Sequence, residues 1–251
     1  MSAAAFQSPS TSHFASSLFD LLDRVEYRRV TGDAMDPVYR LRYEAYRREE
    51  FIAENPDRVV RDEFDDLPNA YTYGVYIDDR LVSSVRFHHV TPAYRMSPSY
   101  SVFTDVLEPI LDKGYTILDP GRFTVDYESS LAFPALPFLT LRIPTMAVWH
   151  FSVKYCLNSV RPEHGAFYRR VFHSTKFAEA RYYHGLSFPM VLYAADIPVI
   201  YDDLLRRYPF FRSTEDERQA MFDRNLPVKL VRPTARLALR LAELDAEAQV
   251  A

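Results

Sequence analysis

Between residues 24 and 198 short β-rich runs alternate with helical patterns, and the order of that alternation narrows the fold more than any single motif does. EYRRVT reads as a strand. DPVYRLRYEAYRREEF reads as a helix, with Asp36 as N-cap and Pro37 at the first helical position. AYTYGVYI and LVSSVRFHHV are β-rich and joined by DDR, which makes a hairpin. A short helix near SVFTDVLEPILD leads to YTILDPGRFTVD, a further strand interrupted in its middle, and YESSLAFPALPF reads as a long loop. LTLRIPTMAVWHFSVKYC is apolar on most sides, as suits a helix covering a sheet; NSVRP is a short strand, PEHGAFYRRVFHST a helix, and FAEARYYH with FPMVLYAA a closing strand pair. The expected fold class is α/β (mixed α+β), a central mixed, twisted sheet of about seven strands flanked by helices.

Outside that stretch the chain is expected to be simpler. Residues 1–13 read as a disordered tail, without the basic and apolar regions of a signal peptide. Residues 14–198 form the main domain, opened by a short amphipathic helix in FASSLFDLLDRV. Residues 199–251 read as a helical extension on the same domain, including STEDERQAMFDRN with its Thr214-to-Glu217 capping box.

Composition excludes several function classes. A formal charge of −4 removes the general electrostatic reason to expect nucleic acid. Cys156 is the single cysteine, so no intramolecular disulfide and no cysteine-cluster metal site can form, and a reducing, cytoplasmic setting fits. No apolar run is long enough to span a bilayer. His88 and His89 are adjacent on a strand and point to opposite faces, so no metal site is expected. Eighteen Tyr and eighteen Phe are enough to line an apolar pocket as well as to fill a core.

Charge gathers at a few positions where solubility does not require it: Arg42 in the early helix, Asp62 and Asp65 in the polar loop 52–69, Arg86 in the second hairpin strand, and Asp119 with Arg122 in the interrupted strand. In a regular strand residues three apart point to opposite faces, so Asp119 and Arg122 could not share a site. A bulge at Pro120 and Gly121 would bring them to one face. Pro then Gly is also the type II turn signature, and local sequence leaves both readings open.

These residues in this order resemble the autoinducer synthase branch of the GNAT acyltransferase fold, which holds the acyl-homoserine lactone synthases and the long-chain N-acyl amino acid synthases. That family has a helical Arg followed by an aromatic, an Asp-x-x-Asp loop, an Arg late in the second hairpin strand, and Glu-x-x-Arg-Phe on the next strand. Arg42 and Tyr46, Asp62 and Asp65, Arg86, and Asp119, Arg122 and Phe123 match in turn, over about residues 24–196. The context favours the bulge. Two departures stand out: the family's Glu is here the shorter Asp119, and the early Trp that helps hold S-adenosylmethionine has no counterpart.

The resemblance implies an N-acyltransferase closer to the amino-acid-acylating relatives. A lactone synthase using S-adenosylmethionine, and a non-catalytic acyl- or carrier-binding module, are the alternatives. Asp119 would be the general base, Arg122 and Phe123 its catalytic neighbours, and Gly121 part of the substrate-binding strand. Arg42 would receive an amino acid carboxylate, with Tyr46, Asp62, Asp65 and Arg86 completing the substrate site. The segment before LTLRIPTM lacks a glycine-rich pyrophosphate loop, so acyl carrier protein (a phosphopantetheine thioester) is the implied donor, with acyl-CoA the alternative. No tightly bound cofactor is expected. Arg169, Arg170 and Lys176 would meet the acidic carrier, and loop 127–139 with Phe151 and Tyr155 would line a tunnel for the acyl chain.

Overall fold

A computed structural model describes residues 18–183 and 186–250, with side chains through residue 244. The tail expected at 1–13 lies outside the described residues. Strand β1 (Val25–Arg29) is followed by helix α1 (Asp36–Arg48), the hairpin β2 (Ala70–Ile77) and β3 (Arg80–Val90), short helices α2 (Pro98–Val102) and α3 (Thr104–Asp112), and β4 (Ile117–Val125). Then come α4 (Tyr127–Ala132), α5 (Leu136–His150), β5 (Tyr155–Val160), α6 (Gly165–Phe172), β6 (Thr175–Tyr182) and β7 (Pro189–Asp196). Helices α7 (Ile197–Arg207) and α8 (Glu215–Phe222), strand β8 (Leu230–Val231) and helix α9 (Ala235–Val250) complete the chain.

Among the described residues eight strands form one sheet in the order β6-β7-β5-β4-β3-β2-β1-β8. Every pairing is antiparallel except β4 with β5, which is parallel and runs only through Ile117 opposite Tyr155 and Leu118 opposite Cys156. Beyond Leu118 the two strands part. β4 then has no strand partner on that side among the described residues.

Alternation along the strands feeds two separate cores. On one face Phe87, Tyr73 and Leu118 pack against α5, of whose residues all but Pro137, Trp149 and His150 are buried, and against Phe210, Phe211 and Phe222 from the C-terminal segment. On the other face Val90, Ile117 and Leu157 pack beneath Phe103, Leu107 and Leu111 of the α2–α3 region. Truncating any of the buried leucines to Ala would cost about 2–5 kcal/mol.

Four local expectations need correction. The α1 helix begins at Asp36 itself, with Met35 as N-cap after a 3-10 turn at Gly32–Met35; the Asp36 carboxylate instead accepts from Arg40 Nε at 2.8 Å. The apolar helix ends at His150, because Ser152 takes the left-handed conformation (φ 49°) that glycine usually supplies at such an end, and β5 already includes Tyr155 and Cys156. Part of the loop expected at 127–139 is helix α4, capped by Asp126, whose carboxylate accepts from Ser129 N–H at 2.9 Å. The two-residue β8, which extends the sheet beside β1, was not expected.

Candidate active site

The interruption in β4 is a bulge. Arg86 pairs with Gly121 and Ser84 with Thr124, so Arg122 and Phe123 together oppose the single Val85. The residue forced into the left-handed region is Arg122 itself (φ 51°), at a cost of order 1–3 kcal/mol. Gly121 does not take that conformation, and a Cβ built on it would meet no atom within 4 Å. The space above the strand there is open.

Cross-strand partners share a face, so His88, Arg86, Asp119 and Gly121 all look the same way, and the bulge turns Arg122 to join them. Helix α1 packs across β3 and β4 and brings Arg42 over this face. Three guanidiniums and two carboxylates interlock there. Asp62 accepts from Arg86 Nη1 at 2.5 Å and Nη2 at 3.2 Å, and from Arg122 Nε at 3.0 Å. Asp65 accepts from Arg42 Nη1 at 2.8 and 3.0 Å and lies 2.7 Å from Arg86 Nη1. The turn carrying the two acids is fixed from within, Phe64 N–H donating to Asp62 and Asp62 N–H to Asp65, each at 3.0 Å.

Burial works against the charge on Asp62, but the Arg86 hydrogen bonds and the charges of Arg86 and Arg122 outweigh it and hold the carboxyl well below its usual range. Desolvation also opposes the Arg122 charge, yet Tyr46 and Asp62 beside it keep its guanidinium firmly protonated; it lies 5.6 Å from the centre of the Tyr46 ring. Burial lowers the pKa of Arg42, only partly offset by Asp65.

Asp119 lies one step along the same face and is 3% exposed. It makes no ion pair with Arg122. Its Oδ2 accepts from the Ser99 N–H at 2.9 Å and its Oδ1 from the Ser99 hydroxyl at 2.6 Å. Ser99 Oγ is 2.8 Å from Ser159 Oγ on β5, and the Tyr183 hydroxyl reaches both, at 3.0 and 2.7 Å. His88, opposite Asp119, contacts the Phe64 carbonyl through Nε2 at 2.9 Å; burial first, and then the Arg86 charge, push its pKa down to about 4. Neutral His88 therefore donates from Nε2. Burial, and then the charge of Asp119, push the Cys156 thiol up, which removes it as a nucleophile at neutral pH.

The sequence-derived residues thus fall into groups. Arg42, Asp62, Asp65, Arg86 and Arg122 form one network beside Tyr46, while Asp119 and Gly121 lie next to it on the same face. Arg42, expected to receive a substrate carboxylate, is fully buried, with Nη1 on Asp65 while its Nε and Nη2 have no hydrogen-bond partner. Phe123 is directed by the bulge to the opposite face, where it packs on the α5 core. Phe151 and Tyr155 line no common tunnel, since Phe151 belongs to the α5 core and Tyr155 to the other. Arg169 and Arg170 are exposed in the last turn of α6, and Lys176 on β6 pairs with Glu179 at 2.6 Å. Ser99, Ser159, Tyr183 and His88 were missed as site residues. Only His88 carried a signal, two residues from Arg86 on one strand and hence on its face.

The family described as N-acyl amino acid synthase FeeM matches residues 37–196. No curated protein matches the chain. Among solved structures, FeeM, an N-acyl amino acid synthase from uncultured soil microbes, superposes with a TM-score of 0.59 at 18% identity over 72% of this chain and 94% of that one. The CoA-dependent acyl-homoserine lactone synthase BjaI gives 0.52 at 15% identity over 69% and 81%, and the AHL synthase LasI 0.50 at 12% over 68% and 88%. At such identities the likeness establishes the fold, the expected GNAT-like one.

Proposed function

Since the chain belongs to the N-acyl amino acid synthase FeeM family and is an acyltransferase, we propose that it transfers a long-chain fatty acyl group from acyl carrier protein to the amine of an amino acid or a related small molecule. The observation that carries this reading is the open space above Gly121, bordered on its own strand by Asp119 and by the Arg122 bulge, close to where β4 parts from β5. A thioester can enter a sheet only where strands separate. There the free edge of β4 offers backbone donors and acceptors to the amides of a pantetheine arm, and backbone N–H groups at the bulge receive the oxyanion. Asp119 is the base for the amine. The Asp62–Arg86–Arg122 cluster holds the bulge in its left-handed conformation, and its charge lies along the same face.

Carrier protein is favoured over coenzyme A by the start of α5. A pyrophosphate needs free N–H groups at a helix N-terminus. In α5 the second residue is Pro137, which has none, while the N–H groups of Leu136, Phe138 and Leu139 already donate to Phe133 and Ala135 carbonyls. Ala135 and Leu136 are buried as well. A carrier-bound pantetheine carries no such pyrophosphate to seat, and the exposed Arg169 and Arg170 suit an acidic carrier surface.

The test is purified protein incubated with palmitoyl-carrier protein or palmitoyl-CoA and, in turn, each of the twenty proteinogenic amino acids and S-adenosylmethionine, with products identified by mass spectrometry. Expected is an N-acyl amino acid formed faster from the carrier-bound donor. A faster reaction from palmitoyl-CoA would overturn the donor assignment. Lactone formation from S-adenosylmethionine, or no acyl amide at all, would overturn the acceptor class.

A further inference from the structure

Asp119 is in the wrong place to meet an amine directly. Both of its oxygens are taken up by Ser99, one by the N–H and one by the hydroxyl, and the residue is 3% exposed. Its neighbours lead outward. Ser99 is 1% exposed, whereas Ser159 and Tyr183 are half-buried, so the chain of hydroxyls runs from the enclosed carboxylate to residues that are themselves partly exposed. It also bridges the gap where the sheet opens, from Asp119 on β4 to Ser159 on β5.

The phenol can also reach Ser99 directly at 3.0 Å, but the protons of this chain can be directed inward along its full length, from Tyr183 to Ser159 to Ser99 to Asp119. An ionised carboxylate only accepts, so the single hydroxyl proton of Ser99 is committed to Asp119 Oδ1 at 2.6 Å. The 2.8 Å contact between the two serines must then be donated by Ser159. With the Ser159 proton so used, the 2.7 Å contact of Tyr183 is donated by the phenol. Every hydroxyl points inward, and the Tyr183 oxygen is left with lone pairs to accept from outside.

We propose that Tyr183, Ser159 and Ser99 form a proton relay through which Asp119 deprotonates the acceptor amine, with Tyr183 as the group that touches it. The relay rests on the acyltransferase reading above. In the reaction the lone pair of the neutral amine forms the C–N bond to the thioester carbon, and collapse of the oxyanion breaks the C–S bond and releases thiolate. The N–H proton passes to the Tyr183 oxygen as the phenol proton moves to Ser159, that of Ser159 to Ser99, and that of Ser99 to Asp119. Return of one proton along the same chain converts the thiolate to thiol and restores the starting state. The relay also accounts for the short carboxylate. Ser99 spans the distance that a longer side chain at position 119 would cover.

The experiment is single-turnover transfer from palmitoyl-carrier protein to the fastest amino acid of the panel, with thermal melts confirming that each variant folds. Tyr183→Phe and Ser99→Ala are each expected to slow the chemical step by about 10²- to 10⁴-fold, as loss of a general base does, with little change in donor binding. Asp119→Glu placed on Ser99→Ala should recover roughly tenfold or more, because the longer side chain bypasses the missing hydroxyl, whereas a purely structural role for Ser99 gives no such rescue. Rates in mixtures of light and heavy water should bow below a straight line for wild type, as several protons move together, and become straight in Tyr183→Phe. An active wild type alongside a Tyr183→Phe variant of similar rate overturns the relay alone, as does failure of the rescue. A wild type that acylates no amine overturns the acyltransferase reading and the relay with it.

Discussion

Replacing Asp62 with Asn tests whether the ionic cluster holds the bulge. The substitution keeps shape and removes charge. Asp62 now serves Arg86 through two contacts, at 2.5 and 3.2 Å, and Arg122 through Nε at 3.0 Å and a second, Nη2 contact. An amide offers one accepting oxygen and turns an N–H donor toward the other guanidinium nitrogens. Arg86 retains Asp65 at 2.7 Å, so Arg122, whose side chain is 19% exposed, is left without an anion. Orphaning one member of a buried pair costs about 3–5 kcal/mol, and the partial exposure of Arg122 places this case near 3. For a chain of this size that is a fall of roughly 6–12 °C in Tm. The folded-state pKa of Asp62 is depressed, so its contribution is present above the unfolded carboxylate value and disappears as pH falls through the lower folded value. The stability curves of wild type and Asp62→Asn should therefore diverge at neutral pH and converge in strong acid. Acyl transfer should fall further than the unfolded fraction explains, because Arg122 is free to leave its left-handed conformation. A Tm within about 2 °C of wild type at pH 7 would refute the assignment of the cluster as the bulge's support.

Glu217→Ala should cost about 3–5 kcal/mol by calorimetry, because it leaves the fully buried Arg142 guanidinium of α5 without its carboxylate and also removes the acceptor for Thr234 N–H at 3.0 Å and its hydroxyl at 2.6 Å. Adding Arg142→Met to that variant should recover part of the loss, since no cation then remains to be neutralised. By NMR the His88 imidazole should be neutral at pH 7 and titrate near 4; between the ordinary value of about 6.5 and 4 the unfolded chain binds a proton that the folded chain does not, so its contribution falls as pH falls. Reversing charge with Arg169→Glu and Arg170→Glu should raise KM for the acyl carrier and leave transfer from a free acyl-pantetheine unchanged.

The element order was legible because alternation and helical spacing are local properties, and the hairpin, the β4 interruption and the α5 cover all announce themselves that way. What the sequence hid were places where an unusual residue does a familiar task. Ser152 ends α5 in a conformation normally signalled by glycine, and Arg122 takes a positive φ beside Gly121, which has none. The site divided along the same line. Charges that break a pattern, such as Arg86 in a β-rich run, were visible. Ser99, Ser159 and Tyr183 were not, because an isolated hydroxyl is unremarkable until three of them, up to 84 residues apart, join in a chain that ends at one carboxylate. Position alone also could not tell how Arg42 is surrounded: it is fully buried, with one nitrogen on Asp65 and its Nε and Nη2 without a hydrogen-bond partner.

The cluster and the relay make sense together when charge is followed through the reaction. Arg42, Arg86 and Arg122 face Asp62, Asp65 and Asp119, three positive groups against three negative ones on one face of the sheet. Asp62 and Asp65 are locked to guanidiniums. Asp119 is hydrogen-bonded to neutral groups only, so it is the member whose charge can be discharged at least disruption. In the proposed relay, proton uptake by Asp119 leaves the face with one uncompensated positive charge at the moment the thioester oxygen becomes negative. Negative charge has in effect moved from Asp119 to the oxyanion while the same three arginines remain in place to balance it. That is electrostatic preorganisation, in which the stabilising dipoles and charges need not rearrange during the step. It also explains why the strand is broken at Gly121 and Arg122: an unbroken β4 would turn Arg122 to the apolar α5 face, where its charge would oppose folding and be of no use to the oxyanion.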